Sequence, residues 1–310
     1  MTAKQKSPGA SGAKKYQHSY HSNFHVPEQD AIALFKREMD SAGLATKDKI
    51  TADGKLHRFH VHGDKPGSKN GWYVLFCGGL PAGAFGSWKS SQTHKWCAKD
   101  GNTLTVAEKR DLKQRMKIAA KARADEIAEG YKQAQRKAHN ILKSTTAAPN
   151  GHPYLQRKGV KPHNTRLYKG LLTLPMRDSA GILHSLQFID GDGNKNYLGG
   201  GRVRGCYFAI GTPTNTICVC EGFSTAASVH EATGHATAAA FSAGNLLPVA
   251  QALRAKFPAI NIILCADNDT ETDGNPGLNK AREAAAAVNG LLAVPPVHGD
   301  FNDLYRGEHV

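Results

Sequence analysis

No Cys-x-x-Cys pair occurs in this chain. Its six cysteines stand at 77, 97, 206, 218, 220 and 265. The usual zinc-ribbon spacing is therefore missing, and the thiols read as reduced and mostly buried. No Gly-x-x-x-x-Gly-Lys-Ser/Thr loop is present, which excludes P-loop nucleotide chemistry. No apolar run approaches the length of a membrane span. The first twenty residues are polar and basic, without the apolar core of a signal peptide. Both absences lead to the expectation of a cytoplasmic protein with no membrane partner. Acidic residues are few: 26 Asp and Glu stand against 40 Lys and Arg, a net charge of +14. That imbalance suits a polyanionic partner, nucleic acid being the commonest, and its bland alternative is a soluble protein of high pI. A chain of 310 residues is long enough for two modest domains with cores of their own.

What is present divides the chain into five stretches. Residues 1–22 are rich in Lys, Ser, Gly, Ala and His without periodicity, and read as a disordered basic arm. Residues 23–104 read as a small α+β domain. It has a helix at Ala31–Met39, a hairpin over Ile50–His62 turning at Gly54, a buried strand at Trp72–Cys77 and a Gly and aromatic loop at Gly83–Lys89. Residues 105–148 lack proline until Ala147-Ala148-Pro149 and predict a long linker helix, capped by Thr105 with Glu108 at the capping-box position. Its basic residues spread over several faces, which also fits a solvated connector. Residues 149–212 read as short antiparallel strands: Leu171–Asp178, Leu183–Asp190, Lys195–Leu198 and Cys206–Ile210, separated by Gly-rich turns. From 213 to 310 the grammar becomes alternating strand and helix. Apolar strands at Thr216–Cys220, Thr237–Phe241, Ile260–Ala266 and Leu291–Val294 alternate with helices at Gly222–Thr233, Leu246–Phe257 and Gly277–Val288. Such strands form a parallel sheet covered on both faces, an α/β fold.

Acidic residues stand at the ends of these strands. Glu221 follows the first, and Asp267 and Asp269 follow the third in Cys265-Ala266-Asp267-Asn268-Asp269. Ligands of open α/β sheets bind outside the carboxyl ends of the strands. Three carboxylates converging there repel one another unless a cation neutralises them, and Mg²⁺ suits oxygen donors. Gly222 lets a helix begin at once and lets a phosphate approach the backbone. Ser242–Asn245 supplies another exposed turn on the same edge. The alternative for each carboxylate alone is an ordinary helix cap.

Val219-Cys220-Glu221-Gly222 before a helix, then Leu264-Cys265-Ala266-Asp267-Asn268-Asp269 and Gly277, closely resemble the Toprim signature over about 213–300. That module is shared by bacterial-type primases, type IA and II topoisomerases and some nucleases. Upstream, Leu174–Gly181, Leu186–Ile189 and Lys195–Leu198 resemble the segment that precedes Toprim in primases of the bacterial, DnaG-like type. His152–Val160 and Gly200–Phe208 resemble the Toprim primases of phages and plasmids. The fold this implies is a Toprim domain, with a Rossmann-like parallel sheet, preceded by a small basic β-rich subdomain. An N-terminal α+β domain joins through the long helix.

The activity implied is that of a DNA primase, a nucleotidyltransferase making short RNA primers on single-stranded DNA. It would use ribonucleoside triphosphates and Mg²⁺ or Mn²⁺, with a replicative helicase as a further partner. The setting implied is phage- or plasmid-type replication, in the cytoplasm of a bacterial cell or infected host. By resemblance, Asp267 and Asp269 are metal ligands and Glu221 is a metal ligand or a general acid/base. Lys158, Arg177, Lys195, Arg202, Arg204 and Gly222 hold nucleotide or DNA, and Phe301-Asn302-Asp303-Leu304 resembles an acidic tail motif through which Asp300 and Asp303 reach the metal site, with a surface loop as the alternative. A Toprim nuclease and a non-catalytic single-strand or origin-binding module are the alternatives.

The cysteine set of the family's N-terminal zinc domain is not in this chain, so residues 23–104 must meet the template another way or bind a partner. Trp72, Phe85, Trp88 and Trp96 beside Lys89 and Lys95 suit base stacking, with a plain aromatic core as the alternative. His57, His60, His62, His94 and Cys97 lack tight zinc spacing. Asp190, Asp192 and Asn194 begin like a calcium loop, but Lys195 stands where that loop needs glycine, which leaves a hairpin turn.

Overall fold

The computed structural model describes residues 26–90, 92–272 and 274–307. The basic stretch 1–22 lies outside the described residues. The chain forms two compact units, residues 1–125 and 126–310.

The first unit opens with α1 (Glu28–Ser41), whose Ala31, Phe35 and Met39 recur four apart and are fully buried. They cover one face of an antiparallel sheet of β1 (His57–Phe59), β2 (Gly71–Phe76), β3 (Ala82–Ser87) and β4 (Thr93–Cys97), in that spatial order. The hairpin expected at 50–62 does not form. Asp53 bridges to Phe76 instead, and β1 pairs with β2 across a longer turn. The Gly and aromatic loop expected at 83–89 is a buried inner strand, β3. Packing explains this: a Cβ on Gly83 would stand 2.6 Å from the Val74 carbonyl, and one on Gly86 would stand 2.1 Å from the Gln92 carbonyl. Glycine here admits close neighbours rather than a turn.

The tryptophans are taken up by packing. Trp72 is buried, Trp96 lies edge-on to Phe35, and Trp88 has Arg58 and Arg123 over its ring at 5.3 and 5.1 Å. His57 stacks on Tyr73 and His94 on Phe85, so the histidines are held singly.

Helix α2 (Val106–Lys143) carries the chain into the second unit. Thr105 and Glu108 close the expected capping box: the Glu108 N–H donates to the Thr105 hydroxyl, and Glu108 accepts from the Thr105 N–H at 2.7 Å. The second unit continues with β5 (Thr146–Ala147), α3 (Pro153–Lys158), β6 (Arg166–Tyr168), β7 (Leu171–Arg177), β8 (Leu183–Ile189) and β9 (Lys195–Tyr197). These strands form an antiparallel meander in chain order. Asp190 accepts bonds from Asn194, the hairpin turn expected there.

Strand β10 (Phe208–Ile210) was expected in the meander. It joins the next sheet instead, antiparallel to β12 (Ala236–Ala239). Parallel to β12 run β11 (Thr216–Cys220), β13 (Asn261–Cys265) and β14 (Leu291–Ala293), in the order β10-β12-β11-β13-β14. Helix α4 (Phe223–Thr233) shares an apolar cluster with Leu172, Leu174 and Met176 of the meander. Helices α5 (Leu246–Lys256) and α6 (Pro276–Ala287) cover the other face. The meander and the parallel sheet thus share one core. Helix α7 (Phe301–Arg306) closes the described chain. Among the described residues no helix is long and apolar enough to cross a membrane.

Candidate functional site

The parallel strands end together, and three turns of chain bring acids to that edge. Glu221 leaves β11 just before α4, whose N-cap Gly222 offers no capping side chain. A Cβ on Gly222 would stand 3.7 Å from the Lys195 ammonium, and one on Gly277, in the first turn of α6, 4.0 Å from a Glu221 oxygen. Two helix N-termini and one lysine therefore face the Glu221 carboxylate, all of them favouring negative charge.

Asp267 leaves β13 beside it. Burial first, and then the charges of Asp300 and Glu221, push the Asp267 carboxyl up to about 7, against the pull of Lys195. Burial also raises Glu221, while the Ala243 N–H and Lys195 act the other way. Asp300 completes the group from the N-cap of α7. Its carboxylate accepts from the Thr225 hydroxyl at 3.0 Å and from the Asn302 and Asp303 N–H groups. Asp303 accepts from the Asp300 N–H and stands 3.6 Å from Lys158 Nζ.

Not every expected residue joins. Asp269 turns to Thr272, whose hydroxyl and N–H hold its carboxyl below the usual range. Arg202 donates to Asp178 at 3.2 Å, and Arg177 to the Gly181 carbonyl at 2.9 Å. Arg177 shares a cavity of about 560 Å³ with Arg166 and Lys256. Arg204 is exposed. Lys195 and Lys158 are the basic residues brought to the acids.

Two asparagines, read from the sequence only as members of a turn and of the tail motif, hold the site together. Asn302 is fully buried and donates to the Lys158 carbonyl and the Ser228 hydroxyl, which fixes α7 on α3 and α4. Asn245 is also buried, against the expected exposed turn. It accepts from the Gly205 N–H and donates to the carbonyls of Val203, Cys206 and Ala240. Asn245 ends an expected turn and Asn302 stands in the tail motif, but neither position signals in the sequence that its side chain is buried.

The donor set fits a divalent cation. Every ligand candidate is oxygen, Asp300 raises both Asp267 and Glu221, and Asp267 Oδ1 is buried without a hydrogen-bond partner. Among the described residues no ready-made cage of three His, Cys, Asp or Glu side chains is formed. Glu221, Asp267 and Asp300 would hold the ion on the sheet edge.

An α/β sheet with paired strand-end acids, a Gly-initiated helix and a shared β-rich neighbour defines a Toprim-type module. Residues 216–308 match the Toprim domain family, and this part of the chain is a Toprim domain. Over 91% of its length the chain is 36% identical to DNA primase TraC of Escherichia coli, covering 28% of that protein. A second DNA primase TraC of Escherichia coli is 34% identical over 87% of the chain, 20% of its own length. The chain thus spans between a fifth and a third of the curated relatives it matches. Among solved structures, the primase fragment of the bacteriophage T7 primase-helicase is 21% identical, covering 54% of this chain and 76% of that one, with a TM-score of 0.39. The DnaG catalytic core is 14% identical, covering 59% and 76%, with a TM-score of 0.38. Over most of its length the chain is thus similar to DNA primases, with the Toprim match confined to residues 216–308.

Proposed function

We propose that this chain acts as a DNA primase, joining ribonucleoside triphosphates into short primers on single-stranded DNA. The observation that carries the reading is the convergence of Glu221, Asp267 and Asp300 beneath Lys195, in a chain whose similarity to DNA primases extends through the preceding subdomain. In primer synthesis a 3′-hydroxyl attacks an α-phosphate, the bond to pyrophosphate breaks, and the hydroxyl proton leaves. A bound Mg²⁺ or Mn²⁺ would supply the charge that favours the alkoxide and the departing pyrophosphate. Glu221, Asp267 and Asp300 are the metal-binding residues in this reading, and Asp269 joins them when its Thr272 contact is exchanged. Lys195 lies across the acids and neutralises phosphate at the start of α4, with Gly222 letting the phosphate approach. Lys158, Arg177, Arg202 and Arg204 hold the template and nucleotide charge around it. The setting is plasmid- or phage-type replication in the cytoplasm of a bacterial cell or infected host, with a replicative helicase as partner.

The test incubates purified protein with single-stranded DNA, labelled ribonucleotides and Mg²⁺ or Mn²⁺. Short labelled oligomers are expected, and Asp267→Ala should abolish them while most DNA binding persists. Degraded DNA without oligomers identifies a nuclease; binding alone identifies a non-catalytic module. Normal synthesis by Asp267→Ala refutes the site.

A further inference from the structure

The N-terminal half of α2, residues 106–125, carries seven basic residues: Lys109, Arg110, Lys113, Arg115, Lys117, Lys121 and Arg123. The structure sorts them. Glu108 and Ala119 are buried, and Arg123 turns inward over the Trp72 ring. Lys109, Arg110, Lys113 and Lys117 are exposed. At about 100° per residue, Lys109, Lys113, Lys117 and Lys121 advance over only about 120° of the circumference, with Arg110 inside that arc. The arc lies on the solvent side, opposite Glu108 and Ala119.

One acid, Asp125, balances the arc at its Lys121 end, and the other acids of this half are engaged outside it. Glu108 pairs with Lys99, Asp111 with Arg115, and Asp125 with Lys121. Lys109, Arg110, Lys113 and Lys117 have no ion-pair partner among the described residues. A merely solvated helix usually intersperses both signs and places acids four residues from bases. Here like charges stand four apart in a row, an arrangement that costs helix stability and returns nothing within the chain. A polyanion laid along the row reverses that cost. Four residues advance about 6 Å along the axis, a step comparable to the separation of neighbouring phosphates in an extended strand.

We infer that this arc is a track for the phosphate backbone of a single-stranded nucleic acid. The contacts are to phosphates, so they position a strand without reading its sequence. The choice of a single strand over a duplex rests on the priming reading; the presence of a track does not.

The experiment measures binding of the full chain to a labelled oligothymidylate, to a duplex, and to polyglutamate, across a series of salt concentrations. The variants are Lys109→Gln/Lys113→Gln/Lys117→Gln and the corresponding triple arginine substitution. With about 0.7 counterions released per single-strand phosphate, loss of three contacts should make the slope of log K against log salt shallower by about 2. The arginine variant should keep the wild-type slope, and circular dichroism should show both folded. An unchanged slope in the glutamine variant overturns the track, as does a wild type without salt-dependent binding. A larger loss on duplex or polyglutamate than on oligothymidylate overturns the single-strand assignment. If the wild type makes no primers yet the glutamine slope falls, the priming reading fails and the track stands. If the wild type primes and the slope holds, the track alone fails.

Discussion

Asp267 carries the sharpest electrostatic conflict in the molecule. Its carboxyl is held up to about 7, chiefly by burial, against 3.8 for the free group. Between those values the folded chain holds a proton that the unfolded chain has released, so stability falls as pH rises through the window. The gap corresponds to about 4 kcal/mol at most. Asp267→Asn should therefore raise the melting temperature of metal-free protein at pH 8 and flatten its decline between pH 4 and 7. Added Mg²⁺ should stabilise the wild type, by binding the folded state alone, and leave the variant nearly unmoved. Calorimetry with and without chelator checks both outcomes; a variant that melts earlier than wild type at pH 8 would contradict the assignment. Asp269 shows the limit of reading ligands from spacing. The Asp-x-Asp pattern is plain in the sequence, but the direction of the second carboxylate is set by Thr272, three residues away. Asp300 is drawn in by α7, which Asn302 fixes through bonds to residues 74 and 144 positions distant.

At the scale of elements, sequence and structure agree where local chemistry decides. Strand β11 is a wholly apolar run bounded by a turn and by Glu221-Gly222, and its observed bounds are those read from the sequence. The start of α2 follows from Thr105 and Glu108 alone. Thr105→Ala removes the hydroxyl that caps the Glu108 N–H and should cost about 1 kcal/mol. A urea titration followed by helical signal would show it as a lower midpoint, and an unchanged midpoint would dismiss the cap. Strand β3 was illegible because Gly83 and Gly86, ordinarily loop residues, are demanded by the close approach of Phe35, Trp72 and neighbouring backbone. Gly86→Ala forces a Cβ against the Gln92 carbonyl and should destabilise by about 1–3 kcal/mol or more. A neutral result in thermal unfolding would show that the strand can shift. The sheet membership of β10 was equally hidden, since it is set by pairing with β12, a strand well further along the chain.

For the molecule as a whole, each unit carries apolar clusters of its own. Phe35 lies at the centre of one, touching the rings of Tyr73, Phe85 and Trp96. Phe35→Ala should cost about 3–5 kcal/mol, and hydrogen exchange should place the loss in residues 28–97. Protection of β11 and β13 should persist; its simultaneous collapse would mean that the units unfold as one. The net charge, legible from composition alone, gave no hint of where the unbalanced cations gather, because that depends on which acids each fold element neutralises. The short turn from Ala243 to Asn245 has a mechanical consequence. At one end its N–H acts on Glu221, and at the other its amide grips residues 203–206. The Glu221 carboxylate and the 203–206 segment are thereby fastened to one short turn. A shift of the 203–206 segment therefore cannot leave the surroundings of the Glu221 carboxylate untouched.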